Sequence, residues 1–206
     1  MRPIPIAFVA LVGLTAGANA QCATGYTQLS NVFACQSNAV NVWSTTLSLA
    51  SGGWQGYDIR QIISSSDLLA ATGTNALVTI KFASTASAAN LDAAWIGEQQ
   101  TSPMQPYNFD GNQVQLKFSG ATSVSGITGA TTLVSDPVAF TYSSAKNLIV
   151  SLHVSGTAAD TVASTSTANE KDYYLLGTSQ AGVSAPTGTW TIQNSTTAFI
   201  PNIAIQ

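Results

Sequence analysis

Leu77-Val78-Thr79-Ile80-Lys81-Phe82 alternates apolar and polar side chains with a period of two. Successive side chains of a strand point to opposite faces, so Val78, Ile80 and Phe82 share one face and Thr79 and Lys81 the other. The same period recurs where Val114, Leu116 and Phe118 alternate with Gln115 and Lys117. It recurs again where Leu148, Val150, Leu152 and Val154 stand against Ile149, Ser151 and His153. Each stretch reads as a strand with one face on a core and the other towards water.

Working outward, less regular strands are expected around 42–49, 57–63, 93–96, 138–142, 173–176, 189–192 and 198–205. Breakers separate them: Ser51-Gly52-Gly53, Thr72-Gly73-Thr74-Asn75, Asp110-Gly111-Asn112, Ser125-Gly126, Asp136-Pro137 and Pro186-Thr187-Gly188. Glycine reaches positive φ, proline fixes φ, and Asp or Asn can bond its own backbone, so these are turn formers. Asp110-Gly111, just before an alternating run, is the sharpest hairpin candidate. Only 67–71 suggests a short turn or helix, and no sustained amphipathic helix is present in the sequence. Many short strands with regular turns define an all-β fold. A single two-sheet antiparallel β-sandwich, jelly-roll-like, fits better than a closed barrel. The irregular segments 83–90 and 155–170 would sit awkwardly in a barrel, and the second is expected to be a mobile loop.

The N-terminus reads as a leader. Arg2 precedes an apolar stretch from Ile4 to Leu14, and Ala18-Asn19-Ala20 gives the small-x-small pattern of a cleavage site. Residues 1–20 are therefore expected to be a signal peptide and 21–206 one domain, secreted or held at a periplasm or cell surface. The apolar stretch is too short to cross a bilayer, and nothing later is long and apolar enough, so no integral membrane segment is expected. Cys22 and Cys35 are the two cysteines. In an oxidising compartment they are expected to close a small disulfide loop near the mature N-terminus, in preference to a metal site, which would need further ligands.

Charge is sparse: six Lys and Arg and nine Asp and Glu among 206 residues give a net charge of −3. No basic block could track a polyanion, so nucleic acid is excluded as an expected partner. A surface built from Ser, Thr, Asn and Gln suits neutral partners. No cofactor motif occurs and no metal site is expected; the loop carboxylates lack the spacing of a calcium loop.

Four stretches in order carry a resemblance. They are Tyr57-Asp58-Ile59-Arg60-Gln61-Ile62-Ile63, Leu77 to Phe82, Leu91-Asp92-Ala93-Ala94-Trp95-Ile96-Gly97, and Leu133-Val134-Ser135-Asp136-Pro137-Val138 leading into Lys146 to Leu152. Together they resemble the β-sandwich accessory domain that precedes the catalytic domain in some secreted SGNH/GDSL-type esterases, over a little more than half of residues 21–206. The resemblance implies a galactose-binding-like, jelly-roll sandwich whose role is carbohydrate attachment. The chain departs from the hydrolase proper, having no Gly-Asp-Ser nucleophile block and no late Asp-x-x-His; Ser65-Ser66-Asp67 has the wrong order. The accessory half is expected to stand alone.

Chemistry finds little support in the residues. His153 is the one histidine, and its strand period puts it on the non-core face. Among the carboxylates, Asp110 and Asp136 read as turn residues, Asp136 organising the turn at Pro137. Asp58 reads as a partner for Arg60, two residues along the same face. A ligand is better sought at Trp54 and Tyr57, which flank Gly56 and follow Gly52-Gly53. Exposed rings there would stack on sugar rings while Gln55, Asp58 and Arg60 bond hydroxyls. The opposing expectation is that one ring plugs the end of the sandwich. Tyr107 adds a second aromatic loop, and Tyr173 or Tyr174 a third. Trp43, Trp95 and Trp190 are expected in the core. Asn194-Ser195-Thr196 is a glycosylation sequon, in an exposed loop if used.

The leading expectation is a non-catalytic secreted module binding a neutral polysaccharide or glycan. A structural or adhesive surface protein comes second and a stand-alone esterase third.

Overall fold

The computed structural model describes residues 26–28, 35–37, 39–102, 104–164 and 167–206. The described residues divide between two units, one up to residue 38 and one from 39 to 206. In the first, β1 (Tyr26–Gln28) pairs antiparallel with β2 (Cys35–Ser37), Gln28 opposite Cys35. The expected leader and Cys22 lie outside the described residues, and with Cys22 the expected disulfide.

The second unit is an antiparallel β-sandwich with no α-helix among the described residues. Its strands begin with β3 (Val40–Ser44), β4 (Leu49–Ser51), β5 (Tyr57–Ile63), β6 (Asn75–Lys81) and β7 (Ala89–Glu98). There follow β8 (Val114–Gln115), β9 (Val124–Ile127), β10 (Thr132–Val134), β11 (Val138–Ala139) and β12 (Leu148–Gly156). The last are β13 (Thr161–Ser164), β14 (Lys171–Leu176), β15 (Thr191–Asn194), β16 (Thr197–Ala198) and β17 (Asn202–Ile205). The larger sheet runs β15-β14-β5-β12-β7-β8, with β9 also on β7. The facing sheet runs β10-β6-β17-β3, with β11 also on β6, and a small sheet runs β16-β13-β4. The chain crosses between the sheets several times, as from β5 to β6, β6 to β7 and β11 to β12.

The period-two stripes make the core. Val78, Ile80 and Phe82 from one sheet meet Ile59, Leu91, Ile96, Leu148, Val150, Leu152 and Val154 from the other in one buried cluster. Burying such side chains contributes roughly 1.5–3 kcal/mol each relative to exposure.

Three expectations are corrected. The segment 155–170 is not a free loop, since β13 lies within it and pairs with both β16 and β4. Asp136 does not organise its own turn; its two carboxylate oxygens accept the Ser119 and Gly120 N–H groups at 3.1 and 2.7 Å. Asp110-Gly111 is not a hairpin tip, because the Gln99↔Phe109 bridge already continues the pairing of β7 with the returning chain. Asp110 instead accepts the Asn112 N–H at 3.1 Å, making a local kink before β8.

The larger sheet is also buried on its outer side, contrary to the expectation of a watered face. Ile62, Ile149 and Tyr173 point outward and pack with Tyr107, Phe109 and Trp190 in a second cluster. The covering loops lie close because glycines permit it: a Cβ on Gly97 would meet the Phe109 ring at 2.6 Å, and one on Gly182 the Trp95 ring at 2.6 Å.

Candidate functional site

The outer cover is clamped by Arg60. Outward-facing on β5 and fully buried, its guanidinium donates to the carbonyls of Tyr107 (2.6 Å), Gln180 (3.1 Å), Ala181 (3.3 Å) and Val183. The group also sits 4.5 Å from the centre of the Phe109 ring. Burial pulls its pKa down to about 10, against the attraction of Asp58 and the Tyr107 hydroxyl. The planar fork suits several carbonyls at once, so Arg60 binds two loops to the sheet.

Beside it stands His153 on β12, opposite Asp58 in the pairing of β12 with β5. Its Nδ1 is 3.1 Å from Asp58 Oδ1, and its Nε2 is 3.8 Å from Asp92 Oδ2. Asp58 is wholly buried and its other oxygen accepts the Gln180 N–H at 2.8 Å. Asp58 and Arg60 do share a face, as expected, but each is committed to other partners. The hydrogen bond to Asp58 raises the His153 pKa above its ordinary value, outweighing burial. The imidazole is therefore gripped between carboxylates and covered by loop, 8 % exposed. Through Asp58, which also holds the Gln180 N–H, the grouping braces the cover.

The inner face of β14 carries a different feature. Asp172 follows the same face as Tyr174 into the sandwich, opposite Gln61 on β5 and Gln193 on β15. It is fully buried, and neither carboxyl oxygen has a hydrogen-bond partner. The donors beside it, the Ala198 N–H and the Thr196 hydroxyl, also serve other acceptors, Gln61 Oε1 at 3.2 Å and the Gln193 carbonyl at 3.3 Å. Burial raises its pKa well above the ordinary carboxyl value, only partly opposed by Thr196 and Ala198. A buried polar group without partners is costly and rare, so it calls for a reason.

Asp172 lines a cavity of about 390 Å³ between the open edges of β4 and β15. Leu49, Ala50, Ser51 and Trp54 form one wall, and Gln193, Asn194 and Thr196 the other. That volume falls within the roughly 300–1,000 Å³ of small-molecule sites. Trp54 exposes little of its ring here. At 7 % exposure it is the plug of the sandwich end, packed edge-on against Tyr57, Tyr174 and Phe199, with Nε1–H donating to Ser51 Oγ at 3.1 Å.

Of the residues singled out from sequence, Gln55 is exposed, Tyr57 is half-buried, and Trp54, Asp58, Arg60 and Tyr107 are buried. The expectation of exposed stacking rings is thus corrected. Tyr107 stacks on Trp190 at 5.0 Å inside the outer cluster. Tyr173 joins that cluster while Tyr174 faces the core. Trp43 and Trp190 are buried and Trp95 is half-buried. Asn194 is exposed at the end of β15, on the rim of the cavity. Sequence reasoning missed Asp172. Its one signal was a charged residue at an inward position of the Lys171–Leu176 strand.

Among the described residues no group of three or more His, Cys, Asp or Glu is arranged for a metal ion, and no helix is long and apolar enough to cross a membrane. No family model matches the chain, and no curated protein matches it in sequence.

Proposed function

We propose that the protein is a secreted, non-catalytic β-sandwich module that binds a neutral glycan in the cleft between β4 and β15. The observation that carries the reading is Asp172, a buried residue whose two carboxyl oxygens lack partners and which is among the residues lining a cavity of about 390 Å³. Hydroxyl pairs of a sugar would complete those bonds, with the Gln193 and Asn194 amides adding further contacts at the rim. The scarcity of charge and the resemblance to esterase accessory domains point the same way. Recognition then works through hydrogen bonding beside the edge of Trp54, not through a broad aromatic platform.

The test is a neutral-glycan array followed by calorimetry on the best glycan with the full chain. Saturable binding that Asp172→Ala weakens at least tenfold is expected. Absence of any binder, or an unchanged affinity in that variant, would defeat the reading.

A second reading, contact with other proteins, draws on Leu49 and Ile192, which are 48 % and 42 % exposed on the strands that flank the cleft. It predicts concentration-dependent self-association in sedimentation, which the glycan reading does not.

A further inference from the structure

The paired strands β14 and β15 present two faces. Asp172 stands opposite Gln193 and Tyr173 opposite Ile192, so alternation sends the first pair to the inner side of the larger sheet and the second to its outer side. On the outer side is a separate cavity of about 290 Å³, with Gln105, Pro106, Tyr107, Tyr173, Trp190 and Ile192 among its lining residues. It shares no lining residue with the cleft that holds Asp172. Arg60 helps to fix its walls, since the guanidinium donates to the Tyr107 carbonyl at 2.6 Å and lies 5.6 Å from the centre of the Trp190 ring.

Tyr107 and Tyr173 are each 6 % exposed, with ring centres 5.2 Å apart, and Tyr107 also stacks on Trp190. The ring faces therefore largely occupy one another, but the hydroxyls do not. The Tyr142 hydroxyl donates to the Leu69 carbonyl at 2.7 Å, whereas neither the Tyr107 nor the Tyr173 hydroxyl bonds any described residue. Both oxygens still reach solvent, on side chains more than nine-tenths buried. A buried tyrosine usually gives its O–H a partner, so two unpartnered phenols lining one cavity point to a bound group that bonds both. The lining also selects the ligand. No charged side chain is among the described lining residues, so an ion would lose its hydration there without a counter-charge. Each phenol can donate and accept, and burial raises both pKa values, which keeps both protonated. Pro106 and Ile192 add aliphatic surface. The volume is at the small end of the roughly 300–1,000 Å³ that small-molecule sites span, which suits a single ring.

We infer that this outer cavity is a second sugar site, taking one neutral pyranose ring whose hydroxyls bond the Tyr107 and Tyr173 hydroxyls. A pyranose carries both things the lining asks for, a ring edge of hydroxyls and C–H groups that meet the aliphatic surface of Pro106 and Ile192. The site goes beyond the cleft and does not depend on Asp172.

The full chain is titrated by calorimetry with the methyl pyranosides of glucose, galactose, mannose and xylose as single-ring probes, and with phenol as a planar control. Tyr107→Phe and Tyr173→Phe are the variants. Each keeps its ring and loses only a hydroxyl that has no protein partner, so Tm should match wild type; should one of them melt early, the other carries the comparison. Saturable binding of at least one pyranoside is expected, at least fivefold weaker in each variant and within twofold of wild type in Asp172→Ala. No saturable binding by any pyranoside, binding that the Phe variants leave unchanged, or tighter binding of phenol than of every pyranoside overturns the site. Loss confined to Asp172→Ala would support the cleft and remove this site, whereas loss confined to the Phe variants supports this site alone, so the two failures are separable.

Discussion

His153 Nδ1 lies 3.1 Å from Asp58 Oδ1 across the pairing of β12 with β5, so the protein's one imidazole is held by a wholly buried carboxylate. That contact favours the charged ring, and the folded protein takes up the His153 proton more readily than the unfolded chain does. Stability from it is fully present below the ordinary histidine pKa and is lost as pH rises through the elevated folded value. Burial also raises Glu170 and Asp172, which tilt stability in the same direction, so a difference measurement is needed. The excess Tm of wild type over His153→Gln should shrink as pH rises through that window. A constant difference would contradict the charged pairing.

Arg60 is predicted to be the most sensitive outward position of β5. Its removal leaves the carbonyls of Tyr107, Gln180, Ala181 and Val183 without their donor and frees both covering loops. Arg60→Met should cost roughly 3–5 kcal/mol in urea unfolding. Arg60→Lys should recover little, since an ammonium cannot reproduce the planar fork. A loss under about 1 kcal/mol would show the loops to be fixed by other means.

Trp54→Ala tests the reassignment of that ring from platform to plug. With Tyr57, Tyr174 and Phe199 packed edge-on around it, truncation should cost about 3–5 kcal/mol. A melting curve close to wild type would place the ring back on the surface.

The sequence made the sandwich legible because its strands alternate cleanly. Val78, Ile80 and Phe82 face inward as the pattern requires, and β5 runs Tyr57–Ile63 as read. It hid the outer cover. Alternation says that Ile149 and His153 leave the core, but not that loops carrying Tyr107, Phe109 and Trp190 return to bury them. The paired apolar residues Ile62-Ile63 and Leu148-Ile149 were the available hint, since a strand buried on both faces need not alternate. The loop after Gly52-Gly53 misled for a related reason: glycines mark a turn, and the turn here folds Trp54 inward over the sandwich end. Asp172 was hidden because a lone acid in a strand most often faces water, and only its register opposite Gln61 fixes it inside.

If Asp172 is left unpartnered to receive a ligand, as proposed, its replacement should have opposite effects on stability and on binding, both measured on one variant. Asp172→Val removes a buried carboxyl without partners and suits a strand, so it should raise unfolding stability by about 1–3 kcal/mol. The same variant should lose glycan binding by tenfold or more in calorimetry. A variant that binds as wild type does, or one that is destabilised, would contradict the account.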